Sequence, residues 1–201
     1  MAKRLRTPLV LLTIAGLLGV GVYWFESRKV SLRPEVQGDT SQPIVAAPER
    51  DIEALRIKTV AQTIVLDKIP STGPPGASPT AAWMVRLPKP EGQASETSVA
   101  FLTNLLVGKG DRLPAVAATR KAEFGLDQPL ATIEVQLPNQ LRQTLVLGKL
   151  NFNRTGLYAA VNPSLDPNAE FSMLLVSPSF ESAVVRTTGE WRSAKLKTPA
   201  K

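Results

Sequence analysis

The chain predicts an α+β domain, a mostly antiparallel sheet with two or three helices, preceded by one N-terminal transmembrane helix. Three observations lead there. The eighteen residues from Pro8 to Phe25 carry no charge. Short alternating apolar patterns separated by turn residues recur from Leu55 onward, and one clear helical stripe interrupts them at Val99, Leu102 and Leu106. Strands joined by short turns pair antiparallel, whereas a parallel sheet needs a long crossover after each strand.

The N-terminal run comes first. A helix over residues 8–25 spans roughly 27 Å at about 1.5 Å per residue, close to the hydrocarbon thickness of a bilayer. Tyr23, Trp24 and Phe25 close it where aromatic rings favour the interface. A cleaved signal peptide would share the basic start at Lys3, Arg4 and Arg6, but no small-x-small site follows the apolar run, so an uncleaved signal anchor is expected. Lys3, Arg4 and Arg6 face Arg28, Lys29 and Arg33, a tie in simple charge count. The short N-terminal tail and the long C-terminal part favour the N-terminus inside and the domain outside. The expected organisation is a cytoplasmic tail at 1–7, the span at 8–25, a flexible tether at 26–50, an extracytoplasmic domain at 51–192 and a basic tail at 193–201. The tether is read from the polar, turn-rich stretch Gln37–Pro43.

Within the domain, Leu55 and Ile57 alternate with Arg56 and Lys58, and Ile64 and Leu66 with Val65 and Asp67, a pattern of two strands in a hairpin. The Pro-rich stretch Pro70–Pro79 reads as a surface loop. Trp83, Val85 and Leu87 are expected on one strand face, closed by Pro88 and Pro90. Ser95 is placed to cap a helix running to about Val107, ended by Gly108 and Gly110. A shorter helix is expected over Ala117 to Phe124. Ala131 to Leu137 is the clearest strand, with Ala131, Ile133, Val135 and Leu137 inward. A turn at Pro138–Gln140 leads to its partner at Thr144–Leu147. Strands at Leu157–Val161 and Met173–Ser177, a last helix at Ser179–Val185, and Trp191 packing near the end complete the domain.

Composition removes several chemistries. There is no cysteine and no histidine, which excludes disulfides, thiolate nucleophiles, zinc sites and Ser-His or Cys-His catalysis. The net charge of +7 suggests nucleic acid until its distribution is considered. Residues 1–33 hold six basic residues against one acidic, and the last nine residues add three lysines. Residues 51–192 are nearly balanced, fourteen against thirteen. Basic ends beside an apolar span read as topology signals or anionic-lipid contacts, and no nucleic-acid partner is expected.

Several stretches together resemble the domain of unknown function 4340 family over roughly residues 51–192. They are Trp83-Met84-Val85, the helix Val99–Val107, Glu123-Phe-Gly-Leu-Asp-Gln-Pro129 leading into Ala131–Leu137, Leu147-Gly148-Lys149, and Gly156-Leu157-Tyr158-Ala159. The Phe-Gly-Leu-Asp-x-Pro piece is the most specific. The resemblance implies a membrane helix with an extracytoplasmic domain, and for some members an association with ABC-type export or gliding-motility systems. It implies no catalytic residues.

The candidate interaction or motif residues are Trp83, Phe124, Gly125, Leu126, Asp127, Pro129 and Tyr158. Gly125 to Pro129 also has a structural account: a left-handed glycine ends a helix, Asp127 bonds nearby backbone, and Pro129 stops continuation. Glu123 and Asp127 are the nearest approach to paired carboxylates, although a glycosidase needs two that face each other across a sugar. Asp166 and Glu170 lie in an oxygen-rich loop without the ordered alternation of a calcium site. Gly108-Lys109-Gly110 lacks the spacing of a phosphate loop. Lys109, Arg112, Arg120 and Lys121 read as a solvated basic corner, and Trp83, Phe152, Tyr158 and Trp191 as core or rim. No metal and no cofactor is implied.

The function expected is therefore that of a non-enzymatic, single-pass accessory or assembly protein presenting an interaction domain to a membrane-protein partner. A glycan- or peptide-binding module is the alternative, and a carboxylate-based hydrolase a more distant one. A bacterial plasma membrane or a thylakoid membrane is the expected location, with the domain periplasmic or lumenal.

Overall fold

The computed structural model describes residues 41–70, 81–164, 166 and 169–193. The expected tail at 1–7, span at 8–25, tether up to residue 40, all but the first residue of the Pro70–Pro79 loop, and the basic tail from residue 194 lie outside the described residues. Among those described, no helix is long and apolar enough to cross a membrane.

The domain is α+β. Its strands are β1 (Ser41–Pro43), β2 (Ala54–Thr59), β3 (Thr63–Pro70), β4 (Ala81–Leu87), β5 (Gly92–Gln93), β6 (Lys109–Ala117), β7 (Ala131–Gln136), β8 (Arg142–Leu150), β9 (Leu157–Val161) and β10 (Glu170–Val176). Helix α1 (Glu96–Leu106) falls between β5 and β6, and α2 (Ser179–Val184) follows β10. All ten strands form one sheet in the order β1-β6-β10-β9-β8-β7-β2-β3-β4-β5. Every neighbouring pair is antiparallel.

Period-two patterning sets the register. Leu55 and Ile57 on β2 lie opposite Leu66 and Ile64 on β3 and Val135 and Ile133 on β7, and all six are buried. Helix α1 starts as its cap predicts, with the Ser98 backbone N–H donating to Ser95 Oγ at 3.4 Å. It buries Val99, Leu102 and Leu106 against the sheet. Its eleven residues, about 16 Å of helix, carry the chain from β5 at one edge to β6 near the other. Eight strand spacings laid flat would be about 38 Å, more than this link can cover, so the sheet curls around its helices. Inside the curl, one core joins strand residues to Leu102, Leu106, Phe180, Val184 and Trp191.

The outer face is covered only in part. Over β6, β10, β9 and β8 a second cluster forms from Val116, Ala160, Phe171, Met173 and Leu126, roofed by the 3-10 helix Ala118–Phe124. Over β7, β2 and β3 that face is polar, with Arg56 3.6 Å from Glu134. The strand ends also sort cleanly. Thr59 pairs with Ala131, Ala131 with Leu147, and Leu150 with Leu157. The β2–β3 turn, the segment before β7 and the β8–β9 loop therefore share one end of the sheet. The opposite end carries the β7–β8 turn, where Asn139 and Gln140 have φ of 58° and 60°, the geometry of a type I′ hairpin.

Four expectations need correction. The fold takes in residues assigned to the tether: β1 pairs with β6, and Ile44 and Val45 are buried. Their N–H groups donate to Gly108 O and Leu106 O, both at 3.0 Å, so this segment caps the exit of α1. Lys109–Ala117, for which the sequence suggests only a basic corner and no strand, is a nine-residue strand. Its alternation is hidden because Pro114 sits in it and the strand lies next to the edge. The expected short helix before Gly125 is 3-10 in geometry. Leu87 does not share the inner face with Val85, because a bulge makes it oppose Val65 and leaves it 40% exposed.

Candidate functional site

The sequence-predicted residues divide between two places. Phe124, Gly125, Leu126 and Tyr158 come together on the outer face. The 3-10 helix ends at Gly125, whose φ of 70° is left-handed, and the Gly125 N–H donates to Ala122 O at 3.1 Å. That reversal drives Phe124 and Leu126 into the second cluster, where the Phe124 ring meets Tyr158 edge-on at 5.0 Å. It also brings the Phe124 carbonyl onto Gly148, where a Cβ would lie 2.1 Å from the oxygen. Thus Phe124-Gly125 and Gly148-Lys149, two stretches singled out separately in the sequence, form one crossing. Trp83 is five strands away from Tyr158 and packs against the inner core, with Lys68 Nζ 6.0 Å from its ring centre. The two rings face opposite sides of the sheet.

The acidic candidates are dispersed. Glu123 accepts two hydrogen bonds from Arg120, from Nε at 2.9 Å and from the second guanidinium nitrogen at 2.6 Å. Those bonds hold its carboxyl below the ordinary range, with Lys149 adding a weaker pull. Asp127 is exposed on the following loop. Glu170 begins β10 opposite Ala117, and the Asp166 carbonyl accepts from the Ala169 N–H at 3.2 Å. Among the described residues no three acidic side chains gather. The basic corner is likewise divided: Arg120 serves Glu123, and Lys121 lies 5.7 Å from the Phe171 ring.

Pro129 leads to a feature that the sequence did not signal. Between the β2–β3 turn, Gln128–Leu130 and the residues after α2 runs an open, apolar cleft of about 700 Å³. Val60 and Val185 stand on its walls, 95% and 61% exposed. Exposed valines scattered singly would mean little, but these two line one cleft. The walls are held by polar contacts. Gln62 Nε2 donates to Arg186 O, and Gln62 Oε1 accepts from Thr188 Oγ1 at 2.7 Å. Arg186 in turn donates to Ser98 Oγ at 3.1 Å and lies 5.4 Å from the Phe101 ring. Glu190 closes the turn beyond by accepting from Thr187 N–H at 2.7 Å and Thr187 Oγ1 at 2.8 Å, which holds its carboxyl below the ordinary range. A smaller cleft of about 300 Å³ shares Gln128 and Leu130 and reaches Lys149 and Glu181. A third depression, about 140 Å³ on the polar sheet face, is walled by Arg56, Asp67, Glu134 and Arg142. Its charges already have partners, Arg56 with Glu134 and Asp67 with Arg86 at 3.0 Å.

The large cleft thus combines an apolar floor, two protruding valines and a braced polar rim. An apolar floor with a polar rim is the composition that binding clefts share. Comparison with models of known protein families, with curated proteins and with solved structures gives no match for this chain.

Proposed function

We propose that the chain is a membrane-anchored accessory or assembly protein whose extracytoplasmic domain receives an apolar segment of a membrane-protein partner. The cleft at Val60, Pro129 and Val185 carries this reading: it is an open apolar concavity of about 700 Å³, and its walls are braced before anything binds. Preorganised walls lower the ordering cost of association. The uncharged run at 8–25 supports the anchor, in a bacterial plasma membrane or a thylakoid membrane with the domain on the outer side. The resemblance to the domain of unknown function 4340 family is in keeping with that layout. The reading is non-enzymatic and needs no cofactor or metal. Glu123, tied to Arg120, is a poor general acid, because its proton is lost more readily than that of an ordinary carboxyl. A glycan platform is less well supported, since Trp83 and Tyr158 face opposite sides.

The test is affinity purification of the full chain from its native membrane in mild detergent, in parallel with Val60→Asp/Val185→Asp. Both residues are exposed, so the variant is expected to fold. A stoichiometric membrane protein that co-purifies with the wild type and is lost, at least tenfold, with the variant is the expected result. A chain that purifies alone from several detergents, or a partner retained by the variant, would overturn the reading.

A further inference from the structure

Beyond the cleft, at the same end of the sheet, the β8–β9 loop presents Phe152 to solvent at 99% exposure. The loop is rigidly built. Asn151 Oδ1 accepts from the Thr155 and Gly156 N–H groups at 2.9 and 3.2 Å, and Asn151 Nδ2 donates to Thr155 Oγ1 at 3.1 Å. The Asn151 carbonyl accepts from Arg154 N–H at 3.0 Å, and Arg154 takes a left-handed φ of 57°. An aromatic ring on a mobile loop could fold back onto the protein; this one projects from a turn whose backbone these hydrogen bonds fix. No acid occurs from Lys149 to Gly156, and Lys149 and Arg154 stand on either side of Phe152 in the sequence.

We propose that this hairpin is a bilayer contact, with Phe152 entering the lipid interface and Lys149 and Arg154 meeting anionic headgroups. An isolated apolar tip flanked by cations suits an interface in which rings sit at headgroup depth and basic side chains reach outward to phosphates. A protein socket would call for a contiguous apolar patch around the ring, whereas the loop that carries it is built of Asn151, Asn153 and Thr155. The proposal rests on the membrane-anchored reading above and adds an orientation: the cleft end of the domain faces the bilayer, where an embedded partner's exposed segments lie.

Because the chain has no cysteine, Asn153→Cys labels uniquely with an environment-sensitive fluorophore. The labelled full chain is reconstituted into phosphatidylcholine vesicles and into three-to-one phosphatidylcholine–phosphatidylglycerol vesicles. With the anionic vesicles the emission should shift to the blue and be quenched several-fold by chain-nitroxide lipid. In a Phe152→Ser background, quenching should fall to that of a label carried by Glu53→Cys, an exposed position at the opposite end of the sheet. A chain that floats with vesicles while its Asn153→Cys label stays in water overturns this contact and leaves the anchor reading intact. Equal quenching in neutral and anionic vesicles overturns the role given to Lys149 and Arg154. A chain that floats with neither vesicle overturns both readings.

Discussion

At Gly148 a carbonyl oxygen occupies the place where any other residue would carry its side chain. The Phe124 oxygen would sit 2.1 Å from a Cβ there, and Gly125 lies so close to Lys149 that its own Cβ would be 3.0 Å from the Lys149 nitrogen. Both obstructions are backbone, so neither can swing aside. Gly148→Ala must therefore separate the 3-10 segment from β8 and loosen Phe124 and Leu126 over the second cluster. Overpacking of this kind costs about 3 kcal/mol, and urea denaturation of the full chain in detergent should show it. Gly92→Ala is the matched control. Nothing lies within 4 Å of its added Cβ, and its change should stay within about 0.5 kcal/mol. Equal stabilities would mean that the two glycines are interchangeable and the crossing is not under close contact.

Elements were legible where a local rule and the tertiary environment agreed. Helix α1 has its Ser95 cap and a buried stripe, and β2, β3 and β7 alternate cleanly because one face of each is in the core. The first ten residues of the fold were not legible. Ser41–Pro43 is short and polar, and Ile44 and Val45 are adjacent residues that fit neither a helical nor an alternating pattern. Their burial depends on α1 and β6, which come some sixty residues later. The cleft was hidden for the same reason: of its walls, only Pro129 belonged to a motif, and the Gln62–Arg186 contact joins residues 124 apart. In a flexible tether Ile44→Ala would cost nothing. In the fold it empties a site that is 3% exposed, and the expected loss is about 2–4 kcal/mol by urea denaturation. An unchanged midpoint would return these residues to the tether.

For the whole molecule, a curled ten-stranded sheet needs something to hold its far portions together, and the segment after α2 does this. Arg186 and Thr188 bind Gln62 on the β2–β3 turn, and the Glu190 carbonyl accepts from Ser98 Oγ on α1 at 2.7 Å. Trp191 O and Ser193 N–H bond to Ser95 and Gln93, while Arg192 donates to the carbonyls of Pro88 and Pro90 at 2.7 Å each. At the centre of these contacts the Trp191 side chain is fully buried in the core that joins the sheet to both helices. A single core of this kind should unfold as one cooperative unit. Trp191→Ala removes the largest of its side chains, and the expected loss is about 3–5 kcal/mol. Trp191→Phe should recover much of it, because the ring volume is partly restored. Hydrogen exchange separates this closure from a local effect. If Trp191 holds the curl, amides of β2, β3 and β4 should lose protection together with those of α1 in Trp191→Ala. Loss confined to residues 186–193 would show that the sheet keeps its curvature without them, and that the C-terminal segment only rests on a structure already closed.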